Sequence, residues 1–318
     1  MTITRKILTL CAIFGTFMAC SNNPYPHEHG SGKVFYTAFT SSPKNLDPQH
    51  TYTMADLAYL RLTYEPLLDY HYLDAKQLIP ALAKEIPQEK ITKENEIIKE
   101  VRYSFKLREG VKFINDPCFP GGNGRELVAE DFHYVFKRAS DPFIACPIAS
   151  QLVSIKGFKE YGLKIKAERA KRTSAIEAEQ GETFDPEKNY IPSKELYDSC
   201  GDFPGIEVTG KYSFDMIMDE RYPQILYWLA MRFICAIPYE AVDYYNPTVK
   251  MTTYVPMRFD MHPVGTGCYR ILWEEFRKAQ KVIMVKNENW WGNKIAAPTT
   301  RFPSKPSSQE DIDKAYWT

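Results

Sequence analysis

The stretch HPVGTGCYRILWEEF, residues 262–276, decides how the chain is read. Gly265 and Gly267 stand directly before an apolar run, and such a glycine pair serves two unrelated purposes. It cradles a phosphate on backbone N–H groups, or it lets the chain turn into a strand where a side chain has no room. A phosphate-binding G-x-G-x-x-G follows a strand and opens a helix, and a P-loop continues into Lys and Ser or Thr. Here the third glycine is missing, no Lys-Ser/Thr pair follows, and Tyr269 to Trp273 reads as a strand. The turn is therefore structural, a tight entry into a core strand.

Outward from this point, strands and helices come in mixed order. In 97–113, Val101, Tyr103, Phe105 and Leu107 alternate with Arg102, Ser104 and Lys106, the period of a half-buried strand. In 129–142, Phe132, Val135, Phe136 and Ala139 recur at helical spacing until Asp141-Pro142 ends the pattern. Leu57, Leu60 and Tyr64 do the same before Pro66. A hairpin is expected over 205–218, turning at Gly210, with Tyr212, Phe214, Met216 and Met218 alternating. Residues 222–231 and 238–245 read as helices with Pro near their starts, and 265–273 with 281–287 as paired strands. Residues 161–205 are highly charged and low in large apolar side chains, the character of a solvated helix and surface loop. There is no internal repeat and no regular βα alternation, so the fold class is mixed α/β (α+β) and not a doubly wound sheet.

The 318 residues, 44% hydrophobic and 25% charged, suffice for a sizeable core in two domains or one domain with large excursions. Forty basic residues balance forty acidic ones, which gives no overall attraction to nucleic acid. At the N-terminus, Arg5 and Lys6 precede an apolar run, residues 7–20, too short to span a bilayer and placed as a signal-peptide core. Ala19 and then Cys20 end the run, and a polar, proline-punctuated tether follows. This resembles a bacterial lipoprotein signal that leaves Cys20 lipidated, with Phe17 where such signals usually carry Leu; an ordinary secretory signal with an incidental cysteine is the alternative. Cys118, Cys146, Cys200, Cys235 and Cys268 remain, an odd number for an oxidising compartment. Cys118 and Cys200, in polar loops, are the expected bridge formers, and Cys235 reads as a buried thiol.

Several stretches in order resemble one family: Asn45–Pro48 (NLDP), YEPLLDY, LIPALAKEIP, YSFKLREGVKF, AEDFHYVFKRASDP, YPQILYWLAM, IPYEAV, HPVGTGCYRILWEE and KNENWWG. Together they resemble bacterial extracellular solute-binding protein family 5, the oligopeptide- and dipeptide-binding lipoproteins of ABC transporters, over almost the whole mature chain. The resemblance implies periplasmic-binding-protein-like clamshell lobes built from discontinuous segments. Residues 1–20 are then the lipoprotein signal and 21–32 the tether; 33–60 with 205–300 form a first lobe, 61–204 an inserted subdomain, and 301–318 the start of a third lobe. Family members continue well past this point, so the second half of the clamshell is expected to be missing. The implied function is capture of an extended peptide, delivered to a membrane permease by an exported, lipid-anchored monomer without cofactor or metal. A non-peptide solute, such as an oligosaccharide or metal chelate, or a sensing role without transport, are the alternatives. Tyr52, Thr53 and Met54 map to the backbone that lines the cleft in peptide-binding relatives; packing at a helix entry is the other reading of Tyr52 and Met54. The tyrosine that some members place past the helix-ending Asp-Pro is replaced here by Cys146, Pro147 and Ile148. Cys268 stands where the family usually carries a small residue or proline.

Enzyme readings find little to build on. There is no GxSxG elbow and no HExxH helix. His27-Glu28-His29 lies in the tether with no further ligands beside it, Asp215, Asp219 and Glu220 read as a solvated face, and His133 as a boundary residue of its helix.

Overall fold

The alternation over 101–107 is realised as the long strand of the largest sheet. The computed structural model describes residues 37–38, 42–71, 73–186, 188–246, 248, 258–272 and 282–293. The expected signal with Cys20, the tether with its His27-Glu28-His29 run, and residues 301–318 lie outside the described residues. The described residues from 42 onward belong to one compact unit. In chain order its elements are α1 (Met54–Thr63), β1 (Leu68–Tyr70), β2 (Leu78–Pro80), β3 (Glu89–Glu94), β4 (Ile97–Lys106), α2 (Ala129–Ser140) and α3 (Phe158–Gln180). Then follow α4 (Ser193–Ser199), β5 (Ile206–Gly210), β6 (Ser213–Met218), α5 (Ile225–Leu229), α6 (Tyr239–Tyr244), β7 (Tyr269–Leu272) and β8 (Ile283–Lys286).

The main sheet is antiparallel in the order β3-β4-β6-β5, and β1–β2 and β7–β8 form two-stranded ribbons. Inside the main sheet Phe105 pairs with Phe214, their rings stacked at 5.0 Å, and Phe132 of α2 stacks on Phe214 at 5.7 Å. Two sequence periods thus meet in one contact: the period of 2 turns Val101, Tyr103 and Phe105 inward, and the period of 3.6 turns Phe132, Val135 and Phe136 onto them. The outward face is charged, and Arg102 there binds Glu100, Glu207 and Asp215 at 2.7 to 2.9 Å. Asp215, expected on a solvated face, is thus an ion-pair partner within the sheet. Strands β3–β4 precede the charged stretch 161–205 and β5–β6 follow it, and the two pairs share this sheet.

Proximity, not backbone dihedral, explains the glycine pair. Neither Gly265 nor Gly267 has a positive φ. A Cβ on Gly265 would stand 2.1 Å from the Thr63 carbonyl oxygen, and one on Gly267 2.4 Å from that of Leu62. The segment is pressed against the last turn of α1, whose carbonyls have no partner inside the helix. Gly267 N–H donates to Thr63 O at 3.0 Å and supplies one. Val264 N–H donates to Tyr64 Oη at 3.1 Å, and Asn287 Nδ2 to Gly267 O at 2.8 Å. Tyr64 is the residue just past α1, extended and fully buried, and not the last position of the helical stripe.

Two expectations about cysteine are corrected. Cys118 and Cys200 are both free thiols and do not bridge. Cys200 is buried at the end of α4, its Sγ donating to Leu196 O at 3.2 Å, and Cys118 packs beside Asp116, where burial and that carboxylate push its thiol far up. Cys235 is buried, as its apolar context implies.

Gly265→Ala should lower stability by about 3 kcal/mol, since the added methyl meets backbone that cannot swing aside. Urea unfolding reads this directly, and an unchanged midpoint would rule out the close packing described.

Candidate functional site

The turn carrying Asn45–Pro48 is built by its own side chains. Asn45 Oδ1 accepts from Asp47 N–H at 2.9 Å, and Asp47 Oδ1 accepts from Gln49 N–H at 3.0 Å. Asp47 then takes two hydrogen bonds from the Arg138 guanidinium of α2, at 2.6 and 3.0 Å. The same guanidinium donates to Gln49 Oε1 at 2.8 Å, and Gln49 Nε2 donates to Val135 O at 2.8 Å. Asp47, Gln49 and Arg138 are 5%, 0% and 3% exposed. Burial opposes the positive charge, yet the Asp47 carboxylate holds the Arg138 guanidinium above its ordinary value.

The far end of the segment is fixed by α1. Thr53 is the N-cap: its Oγ1 accepts from Asp56 N–H at 3.1 Å and donates to Asp56 Oδ2 at 2.6 Å. Thr51 Oγ1 donates to the same carboxylate oxygen at 3.0 Å, and Lys44 N–H to Asp56 Oδ1 at 2.8 Å. A carboxylate in the first turn also faces the positive end of the helix dipole. Residues 44–53 are therefore held at both ends by buried acids.

Between and beyond these anchors, Tyr52 and Met54 are left outside, 76% and 72% exposed. Tyr52 lays one ring face over Phe233, centroids 6.5 Å apart, and the other side of the ring is open. Among the described residues, neither the N–H nor the C=O of Tyr52 has a backbone partner. Thr53 is exposed too, but its hydroxyl is committed to the cap. The structure thus brings the three residues expected to line a cleft together at one helix entry, with two large side chains presented to solvent. Packing at that entry accounts for one face of Tyr52 and does not account for the exposure of Met54. Sequence reading missed Arg138, Gln49, Asp56 and Phe233; the Asx turn at Asp47 was the one local signal that its side chain is structural.

A second knot secures the segment that begins at His262. Asp116, 5% exposed, accepts from Tyr245 Oη at 2.8 Å and Cys118 N–H at 3.0 Å, and lies 2.7 Å from His262 Nε2. The imidazole stacks on Tyr245 with centroids 4.0 Å apart. Burial pushes the Asp116 carboxyl up, but the hydrogen bond and charge of His262 prevail and hold it below its ordinary value. Glu65 takes the indole N–H groups of both Trp290 and Trp291, at 2.8 to 3.0 Å. His133 lies with its ring against Phe203, its pKa lowered by burial. Among the described residues, no three His, Cys, Asp or Glu side chains gather as a metal site, and no helix is long and apolar enough to cross a membrane.

This mixed α/β unit is similar to the lobes of periplasmic-binding-protein clamshells. It resembles the substrate-binding domain of an oligopeptide ABC transporter from Bacillus anthracis str. Ames, at 17% identity over 81% of this chain and 38% of that one, with a TM-score of 0.52. It also resembles the pheromone receptor PrgZ, a structure described for its mode of peptide binding, at 16% identity over 80% and 39% of the two chains, TM-score 0.51. At these identities the likeness is one of fold, and this chain spans 38 to 39% of the length of those structures. The profile of the bacterial extracellular solute-binding proteins, family 5 (middle region), matches residues 77–302, more than two thirds of the sequence. The chain belongs to that family, whose members and structural neighbours are binding proteins. No curated protein matches the sequence.

Two measurements check the anchors. Arg138→Met leaves the Asp47 carboxylate buried without its partner and should cost about 3–5 kcal/mol in urea unfolding; a loss under about 1 kcal/mol, as for an exposed pair, contradicts the buried bolt. Because the folded value of Asp116 is depressed, its stabilisation is present above the ordinary carboxylate range and disappears as pH falls through the folded value. Asp116→Asn should therefore be the less stable protein at neutral pH and lose less stability on acidification than the wild type; parallel pH curves would contradict the assignment.

Proposed function

We propose that the chain is the ligand-capturing component of an ABC importer and that its ligand is a peptide in extended form. The observation that carries this reading is the pair of exposed side chains, Tyr52 and Met54, on a segment held by buried acids. An extended peptide brings its own N–H and C=O groups, and the backbone of Tyr52, without a backbone partner among the described residues, is suited to meet them whatever the peptide's sequence. The open face of Tyr52 suits stacking, and the flexible thioether of Met54 adapts to side chains of different shape. Family membership supports the same ligand class, as do the oligopeptide transporter and the peptide-binding receptor of similar fold.

In this reading the chain is exported through residues 1–20 and held at a membrane by lipid on Cys20. Residues 33–60 and 205–300 carry the first lobe, 61–204 the inserted subdomain and 301–318 the entry to a third. The protein acts as a monomer that passes its peptide to a permease, with no catalytic step.

The test is native mass spectrometry of the full chain, purified without denaturation and offered a mixture of short peptides. Adducts of peptide mass are expected. Tyr52→Ala and Met54→Ala should each weaken binding by about tenfold, the scale of one buried apolar contact, with unfolding midpoints unchanged because both side chains are outside the core. A double variant that binds as well as the wild type would sink the placement of the site, and absence of any peptide adduct would sink the ligand class.

A further inference from the structure

One side of helix α3 is packed, and the opposite arc carries a short apolar strip set among charges. Phe158, Tyr161, Gly162 and Ile165 are buried, and a Cβ on Gly162 would stand 2.4 Å from Ser140 O at the end of α2. On the opposite arc Leu163 is 65% exposed, and Ala167 and Ala170 are exposed with it. At 3.6 residues per turn these three fall along the middle of the arc, with Lys159 and Lys166 on one flank and Lys164 and Lys171 on the other. All four lysines are exposed. Lys171 lies 3.5 Å from Glu168, which Arg172 holds more closely at 3.1 Å, and the other three have no ion pair among the described residues. Glu160 is the acidic neighbour on the same arc. Lys164 and Lys171 also rim a shallow groove toward the end of α4, where Ser199 and Cys200 lie.

A row of methyl groups between two rows of lysines has the chemistry of a helix lying in a membrane interface. The apolar strip enters the boundary of the acyl region, and the lysine stems extend along it so that their ammonium groups reach phosphates. We infer that residues 159–171 of α3 rest on an anionic bilayer surface, with Leu163 as the inserted side chain and the phosphates of acidic lipids held between Lys159, Lys166 and Lys164, Lys171. This does not rest on the peptide reading, and α3 is distant in sequence from Tyr52–Met54.

The experiment is vesicle co-sedimentation of the full chain carrying Cys20→Ser, so that no lipid is attached. One set of vesicles is phosphatidylcholine alone, the other one part phosphatidylglycerol to three parts phosphatidylcholine. Every sample also carries Arg5→Gln and Lys6→Gln, so that residues 1–20 contribute about equally to both and the ratio between the two is the readout. Each lysine near an anionic surface is worth about a fivefold gain, so the acidic vesicles should be preferred by well over about tenfold at low salt. The combined K159Q, K164Q, K166Q and K171Q variant should erase that preference, and Leu163→Ser should reduce binding to both the acidic vesicles and their lysine-dependent excess by severalfold. All five positions are exposed, and unchanged unfolding midpoints confirm that the variants fold. Equal binding to both vesicle types, or a preference that survives the quadruple variant, overturns the inference. Retention of inorganic phosphate by the wild type with no preference for acidic vesicles overturns it too, and reassigns the groove to a soluble anion.

Discussion

The ion pair between Arg138 and Asp47 is the contact on which the candidate site depends. A charge pair taken out of water is a weak source of stability by itself, because desolvation opposes the attraction. Its value is geometric. Two parallel hydrogen bonds from a planar guanidinium fix a carboxylate in direction as well as distance. Here the direction matters, because the same short segment must deliver Thr53 as the cap of α1 and leave Tyr52 and Met54 facing solvent. The cap, the Asx turn and the ion pair act in series on ten residues, and an apolar substitute for the pair would fill the space without orienting the turn.

A second constraint comes from absence of side chain. Gly265 and Gly267 let backbone meet backbone at the end of α1, so that Thr63 O and Gly267 N–H satisfy each other. The loop that carries Asp116 and the segment that starts at His262 meet beside this contact: Ile114 N–H donates to Gly265 O at 3.0 Å. Polar groups that would be costly if left unpaired are thereby used to join three stretches of chain that lie far apart in sequence.

Periodic features of the fold were legible in the sequence. Alternation at 101–107 and the i, i+3, i+4, i+7 stripe at 132–139 gave β4 and α2 and the faces they bury, since each depends on residues close together in the chain. Strand pairing takes no account of composition: β4 and β6 pair through the apolar alternation both share, although the charged stretch 161–205 lies between them in the chain. Arg138 could not be recognised as a structural partner, because nothing local distinguishes it from Lys137 beside it, and the acid it meets is 91 residues away. Cys118 and Cys200 misled for the same reason. A polar neighbourhood in sequence says little about whether a thiol is enclosed by residues arriving from elsewhere. Tyr52, Thr53 and Met54 were named from their place after the NLDP turn, and their division into one capping residue and two exposed ones needed the structure.

The partnership between α1 and the 262–268 segment also bears on the order in which the molecule is made. Tyr64 Oη accepts from Val264 across 200 residues of sequence. The chain is synthesised from its N-terminus, so α1 is complete as a string of residues long before anything exists to cap its last carbonyls. Loop closure over such a span is entropically costly and slow, and contacts of this kind set the pace of folding. Until that moment the end of α1 lacks this partner, while the turn that presents Tyr52 and Met54 already has its Asx bonds, the Thr53 cap and Arg138. The closing of α1 onto the glycine turn is therefore a late contact in a molecule whose front segment is held by bonds of its own.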